Sequence, residues 1–445
     1  MKSARFILLV FVFLAAWMPS GFAADTPAAA SSDTYSFNRC IQIASEHNAE
    51  IRDASTQFIA ANGKVLQLRA ILYPQVDVQA LTTPMDIYVQ VNQVIYNRAT
   101  FPQLRLGRLT EEQAFINYRQ TLNDVVFQVR QAFAAVLAAS ERVEKVRKFS
   151  GEKFAAIKSA QQLFDAGQVQ KSVITNIQVQ AGLSKRDLAN DELTYTQAKL
   201  ALENILGQTL PESARFVGDF STKLPENLDT GALIGEALRD REDLKLLESL
   251  KLSAEQKIQI DVKNVYPMVG FSSNSTIQPP ATAFSNDFNA EANFNEPQTA
   301  VGAGQTQLPL SLYLTWVLFD GGNVRGVKMS DNARIATQDI AISELKQSIT
   351  GEIGGAVSRI VTQRKSLQAM QDQPSPEELR KLAETSYQAG DIRQLDKVNL
   401  ENDLLTQELL ELSTQYQLCL AAAALDHALG HGLNIIQSAA PAPHN

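Results

Sequence analysis

From Leu310 to Leu318 every second residue is apolar: Leu310, Leu312, Leu314, Trp316 and Leu318 share one face, and Ser311, Tyr313 and Thr315 take the other. A period of two predicts a strand with one greasy and one polar side. At Phe319-Asp320-Gly321-Gly322 the alternation stops, and no proline follows until Pro374, so the strand hands over through a glycine turn to a long helix. The same pattern occurs 223 residues earlier, where Ile87–Asn97 alternates and a proline-free run extends from Gln103 to Leu210. A shorter alternating stretch, Val76, Val78 and Ala80 against Gln75, Asp77 and Gln79, precedes it, with a turn at Thr82-Thr83-Pro84.

Between the strands the period lengthens. Ile51, Ala54, Phe58, Ala61, Val65, Leu68 and Leu72 recur at spacings of three and four, the 3.5-residue repeat of helices that supercoil on neighbours. A first helix begins near Ser36, and Tyr73-Pro74 ends this segment. Val126, Val129, Phe133, Val136, Ser140 and Val143 form an outgoing seam. Ala166-Gly167-Gln168 reverses the chain, and Ile174, Ile177, Ala181, Ser184, Leu188, Asp191, Tyr195, Ala198, Leu202 and Ile205 carry the seam back to Gly207. Ser150-Gly151 is expected to interrupt the outgoing helix. The second copy matches this, because Pro374-Ser375-Pro376 breaks its helix at the same height, with Ser375 as N-cap and Glu378 as capping-box acid.

The two copies align at constant offsets. Ile234, Ala237, Leu244 and Tyr266-Pro267 lie 193 residues after Ile41, Ala44, Ile51 and Tyr73-Pro74. Past the strands the offset is 223, pairing Phe319-Asp320 with Tyr96-Asn97, Ala389-Gly390 with Ala166-Gly167, and Gly430 with Gly207. A fixed offset over such distances marks an internal repeat. The extra residues fall in Ile277–Leu308, a segment rich in Asn, Gln, Ala, Phe and Pro that reads as a long surface loop. The expected organisation is a first repeat over 36–210, a linker over 211–230 around Pro225, a second repeat over 231–430, and a flexible tail over 431–445.

The N-terminus changes the compartment. Lys2 and Arg5 precede an apolar Ile7–Ala16 core and a Gly21-Phe22-Ala23 small-x-small site, so residues 1–24 read as a secretory signal peptide. The apolar run is shorter than the ~20 residues a spanning helix needs, and no later segment approaches that length. Loss of Lys2 and Arg5 takes the formal net charge from −8 to −10, and such a chain is not expected to bind nucleic acid. Cys40 and Cys419 each sit on an apolar helix face, as small core residues or as a disulfide joining the chain's ends.

Four alternating strands are too few to close a membrane barrel, since bacterial barrels begin at ~8 strands. An open edge in lipid leaves backbone groups without partners, so several chains would have to pool strands. A small soluble β-domain crowning a coiled coil is the alternative. Catalytic chemistry is nearly absent: no nucleophile motif, phosphate loop or paired-cysteine site occurs, and no enzyme activity, cofactor or metal is expected. His427 and His431 have helical i,i+4 spacing, but Gly430 lies between them and no acid–histidine set accompanies them, so helix-end polar roles stand beside a metal site.

The doubled helix–strand–strand–helix–helix copies, Tyr-Pro before the first strand, Leu318-Phe-Asp-Gly-Gly322 and Tyr387-Gln-Ala-Gly-Asp391 resemble the TolC-type outer-membrane efflux protein family over essentially all of Ser36–Gly430. The resemblance implies a fold that is mainly α with a membrane β-barrel. In it a homotrimer would pool twelve strands into one barrel in outer-membrane lipid, standing on a long periplasmic helical barrel. It implies a passive, gated conduit of a tripartite efflux or type I secretion system, joined to an inner-membrane pump through a periplasmic adaptor protein. The adaptor-docking tips would be Ala166, Gly167 and Gln168 with Ala389, Gly390 and Asp391, whose glycines also serve simple chain reversal. The periplasmic aperture would carry Tyr387 and Asp396, and the strand-to-helix turn is Phe319, Asp320, Gly321 and Gly322. Asn399 stands where the family has a second acid, and Val173 where Tyr387 would find an acidic partner. The first external loop is reduced to about Leu81–Asp86.

Overall fold

The structure is a computed structural model that describes residues 34–82, 85–220, 228–277 and 310–432. The signal peptide, residues 26–33, the Thr83-Pro84 turn, most of the Pro225 linker, the insert after Ile277 and the tail beyond Gly432 lie outside the described residues.

The repeat is visible in element lengths. Helices α1 (Phe37–His47) and α2 (Ala49–Ala70) have counterparts α5 (Thr230–Asp240) and α6 (Glu242–Lys263), of 11 and 22 residues in both copies. The returning helices α4 (Lys171–Leu206) and α9 (Gln394–Leu429) are both 36 residues long and sit 223 apart at each end. The outgoing helices differ. In the first copy α3 runs unbroken from Thr100 to Asp165, 66 residues and ~100 Å at 1.5 Å per residue. In the second, α7 (Asn323–Gln371) stops and α8 (Pro376–Ala389) starts anew, Ser375 Oγ accepting the Glu378 N–H at 3.2 Å.

The expected interruption at Ser150-Gly151 is therefore absent. A helical glycine costs only ~1 kcal/mol, and Phe149, Ser150 and Lys153 are all buried against neighbours across this point. A prolyl ring cannot be accommodated so cheaply, and the second copy breaks. Two joints were not expected. Asn48 and Arg241, 193 apart, adopt extended backbone (φ −62 and −63, ψ 131 and 130) and split each leading segment into two helices. Asn48 is buried, accepts the Ile51 N–H and donates to the Ile205 carbonyl at 2.7 Å. Arg241 instead binds Asp243 and Glu352.

Each copy has its own core where these joints meet the long helices. The first unites Cys40, Ile41 and Ala44 with Val126, Phe133, Leu202 and Leu206. The second unites Ala237 with Ile349, Ala356, Leu425 and Leu429, the same positions displaced by the repeat offsets. Cys40 and Cys419 are both buried free thiols, and burial pushes Cys40 up to about 12, so neither forms the bridge between the chain's ends. The linker is ordered at its start. Strand β4 (Arg215–Phe216) pairs in parallel with β1 (Thr34–Tyr35), and Phe216 packs against Tyr35 and Phe133.

Ahead of the N-terminal ends of α3 and α7 lies a four-stranded antiparallel sheet, ordered β2 (Gln75–Thr82), β3 (Met85–Tyr96), β5 (Met268–Ile277), β6 (Leu310–Thr315). Strand β6 is shorter than its alternation suggests, and Trp316 and Leu318 lie beyond it. The last ladder pair is Met268↔Thr315; the next partner would be Pro267, which has no N–H to give. No helix among the described residues is long and apolar enough to cross a membrane.

Candidate functional site

The sheet separates its two faces as the alternation requires. Register pairs Val76↔Val91, Val78↔Val89, Val269↔Leu314 and Phe271↔Leu312, and Val91 lies opposite Ser273, two residues from Phe271. Paired residues share a face, so Val76, Val78, Val89, Val91, Phe271, Leu312 and Leu314 lie together. Gln75, Gln90, Asn92, Ser272, Ser311 and Thr315 occupy the other side. On the outer strands the apolar face is uncovered, with Val78 64%, Leu312 74% and Leu314 65% exposed, while Val89, Val91 and Phe271 on the inner strands are half-buried. Strands β2 and β6 each have one unpaired edge among the described residues.

Below the sheet, Asp320 organises the turn into α7. Its carboxylate accepts the N–H of Val324 at 2.9 Å and of Gly322 at 3.0 Å, and these bonds, Val324 first, hold it below the usual carboxylate range. Gly321 and Gly322 both take positive φ, and Phe319 stands 87% exposed. In the first copy Asn97 shapes the turn ahead of α3 by accepting the Ala99 N–H at 2.8 Å, and α3 has no side-chain cap.

At the far end both hairpin tips close in the same way. Gly167 (φ +73) donates its N–H to Phe164 and Gln168 to Leu163; Gly390 (φ +82) donates to Tyr387 and Asp391 to Ser386. These are Schellman closures, in which a left-handed residue lets two terminal carbonyls be satisfied. Ala166, Gly167, Gln168, Ala389, Gly390 and Asp391 are all exposed, and a Cβ at either glycine would meet no atom within 4 Å.

The expected aperture residues are not brought to one another within the protomer. Asp396 is exposed in the first turn of α9, and its carboxylate accepts the Arg393 N–H at 3.3 Å. Tyr387 lies with its ring 5.0 Å from Lys397 Nζ, and Lys397 ion-pairs with Glu384. Val173 packs into a small apolar cluster of Ala160, Ile174, Ile177 and Val398. Asn399 accepts from Gln180 of α4 at 3.2 Å. The two histidines go to different acids, His427 to Asp124 at 2.7 Å and His431 to Glu236 at 3.0 Å, and so fasten the end of α9 to two helices instead of converging. No group of three or more metal-ligating side chains occurs among the described residues.

Lys153 escaped the sequence reading. It is 2% exposed on α3, donates to Gln180 Oε1 at 3.1 Å and to Asn402 of α9, and sits 4.6 Å from the Phe149 ring centroid. Burial lowers it to about 8, opposed by the charge of Glu401. The signal was its place in the α3 seam, in line with Val146, Phe149 and Ala160.

With this geometry in view, solved structures supply the comparison. The open state of the Neisseria gonorrhoeae MtrE outer-membrane channel matches at 17% identity, covering 89% of each chain, TM-score 0.70. The Campylobacter jejuni CmeC outer-membrane channel matches at 13% identity over 89% of this chain and 86% of that one, TM-score 0.71. The Vibrio cholerae outer-membrane protein VceC matches at 17% identity over 88% and 96%, TM-score 0.64. The chain has the fold of these proteins. No protein-family model matches the sequence, and a search of curated proteins gives no match. The likeness is one of backbone arrangement over 88–89% of the chain.

Proposed function

We propose that this chain is a gated outer-membrane channel that carries substrates from an inner-membrane pump across the periplasm, as part of a tripartite efflux or type I secretion system. The observation that carries the reading is the sheet. Val76, Val78, Leu312 and Leu314 on its apolar face are exposed, Gln75, Gln90, Asn92, Ser272, Ser311 and Thr315 lie on the other, and among the described residues both outer edges lack partners. In lipid such a sheet must close on copies of itself, and three chains supply twelve strands. The likeness to outer-membrane channels supports the same conclusion.

The hairpin tips are the surface for a periplasmic adaptor protein. They are exposed, are built alike in both copies, and lie a helix length away from the sheet. A homotrimer would present six of them in one ring. Three copies of Asp396 would then approach the three-fold axis, where converging carboxylates attract multivalent cations. Single channels in planar bilayers are expected to be blocked by trivalent cations from the periplasmic side, and Asp396→Ala channels to lose that block. Equal block in both would leave Asp396 with its capping bond to Arg393 alone.

Fractionation of cells expressing the chain tests the reading as a whole. The expected result is recovery with outer-membrane lipid as a detergent-resistant trimer. Folded protein recovered from the periplasm without detergent would favour a soluble coiled-coil scaffold instead.

A further inference from the structure

The segments that border the sheet carry a charge opposite to that of the whole chain. At 64–74, 98–108, 257–267 and 319–328, within a few helical turns of the strands, stand nine lysines and arginines and two acids, although the chain's net charge is −8. Of the two acids, Asp320 commits its carboxylate to the N–H groups of Gly322 and Val324. None of the nine cations makes an ion pair among the described residues, whereas Arg119, Arg130, Arg142 and Arg241 farther along the helices all do. Crowded, unpaired charges of one sign repel each other and attract a counter-charge from outside the chain.

Three of these cations fall on one stripe. Arg98 stands just ahead of α3, and Phe101, Arg105 and Arg108 follow at spacings of three, four and three, the pattern of a single helical face. All four are exposed, Phe101 at 75%. Arg98 lays its guanidinium over the Tyr266 ring, 4.3 Å from the centroid. Tyr266 in turn forms, with Pro267, Trp316, Leu318, Phe319 and Val324, the wall of an open groove of about 410 Å³. Trp316 directly follows the last residue of β6, so the groove begins where the sheet ends. Lys328, four residues past Val324, shares its face of α7, and Arg325 stands beside it. An apolar groove rimmed by unpaired cations is complementary to an amphiphile with an anionic head.

We propose that Arg98, Arg105 and Arg108 of the first repeat, with Arg325 and Lys328 of the second, form a collar that binds anionic phospholipid headgroups in the leaflet facing the helices, the groove beside Trp316 taking part of an acyl chain. A guanidinium fork meets a headgroup phosphate through two N–H groups and keeps its charge at any physiological pH. Phe101 and Tyr266 offer ring surface to the glycerol region next to those phosphates. The collar also fixes the height of the sheet in the membrane, since sliding one way drives cations into hydrocarbon and sliding the other way strips them of phosphate. The inference rests on the reading of the sheet as embedded in lipid and names the lipid class it selects.

The test uses the full-length chain with Trp17→Phe, which leaves Trp316 as its one tryptophan. The protein is reconstituted into vesicles of mixed phosphatidylcholine and phosphatidylglycerol, with brominated acyl chains on one lipid or the other, and quenching of Trp316 reads which lipid lies at the groove. Phosphatidylglycerol is expected to bind about fivefold more strongly than phosphatidylcholine in about 0.1 M salt, the factor that one basic residue near a lipid surface supplies. The preference should approach unity in about 1 M salt, where the Debye length falls to about 3 Å. Arg98→Gln with Arg105→Gln and Arg108→Gln should reduce it to about twofold or less. Arg105→Gln with Arg108→Gln, which keeps the stack on Tyr266, serves if the triple variant fails to fold. Equal quenching by both lipids in the parent, or a preference unchanged by loss of the arginines, overturns the collar. Flotation of the same preparations keeps the two readings apart. Protein that floats with vesicles in high salt while neither lipid quenches Trp316 overturns the collar and leaves the channel reading standing, and protein that floats with no vesicle overturns both.

Discussion

Arginine in place of Leu314, one residue from the helix-side end of β6, is expected to cost up to about 1 kcal/mol of stability in a lipid or micelle environment, as near the interface of other barrels, whereas arginine at the next residue, Thr315, leaves stability nearly unchanged. The two side chains are adjacent in sequence and on opposite faces. Leu314 pairs with Val269 on the apolar side and is 65% exposed, so nothing inside the protomer covers it. Thr315 belongs with Ser311, Gln90 and Asn92 on the polar side, where a charge stays hydrated. Urea titration of the folded, heat-modifiable band on gels reads the difference. Equal midpoints for Leu314→Arg and Thr315→Arg would mean that the apolar face does not meet lipid.

Valine at Gly207 and valine at Gly390 are expected to fail in different ways. Both glycines end a helix in the left-handed region, φ +71 and +82, which a β-branched residue resists by about 1–2 kcal/mol. At Gly207 a Cβ would also lie 2.5 Å from the His47 carbonyl oxygen and 2.9 Å from its carbon, at the Asn48 joint. Backbone cannot move aside as a side chain can, and overpacking adds about 1–3 kcal/mol. Gly207→Val should therefore abolish assembled protein. Gly390→Val meets open space, so assembly should persist while export falls, because the changed surface is the tip itself. Assembly on native gels and efflux from cells separate the two outcomes. Loss of assembly in Gly390→Val would make that turn a folding element and not a docking one.

Most of the architecture could be read from periodicity. The strands, the helical seams and the hairpin reversals each impose a spacing on the chain, and the repeat offsets recur to the residue in the caps at Gly207 and Gly430. Features that depend on a third element were illegible. The β6 strand stops at Thr315 because Pro267 lies across from Trp316, a fact about the partner strand. The Ser150-Gly151 interruption failed because flanking Phe149 and Lys153 are buried, and packing outweighs a glycine's preference. Asn48 looked like one more polar residue because its amide is satisfied by Ile205, more than 150 positions away. For the same reason nothing singled out Lys153 until α4 and α9 were placed around it, and Tyr387 found Lys397 where the family pattern suggested a residue of the first copy.

The equal 36-residue lengths of α4 and α9 make the body a caliper. Each residue added to a helix advances its end by about 1.5 Å and turns it by about 100°. A single deletion in α4 would thus lower one tip relative to the other and rotate its exposed residues off the face shared with Gly390. The two jaws would no longer close on a common plane. Length in these helices is accordingly a counted quantity, and drift in one repeat is tolerable only when the other drifts with it, whereas the Ile277–Leu308 insert can grow or shrink without disturbing the gauge.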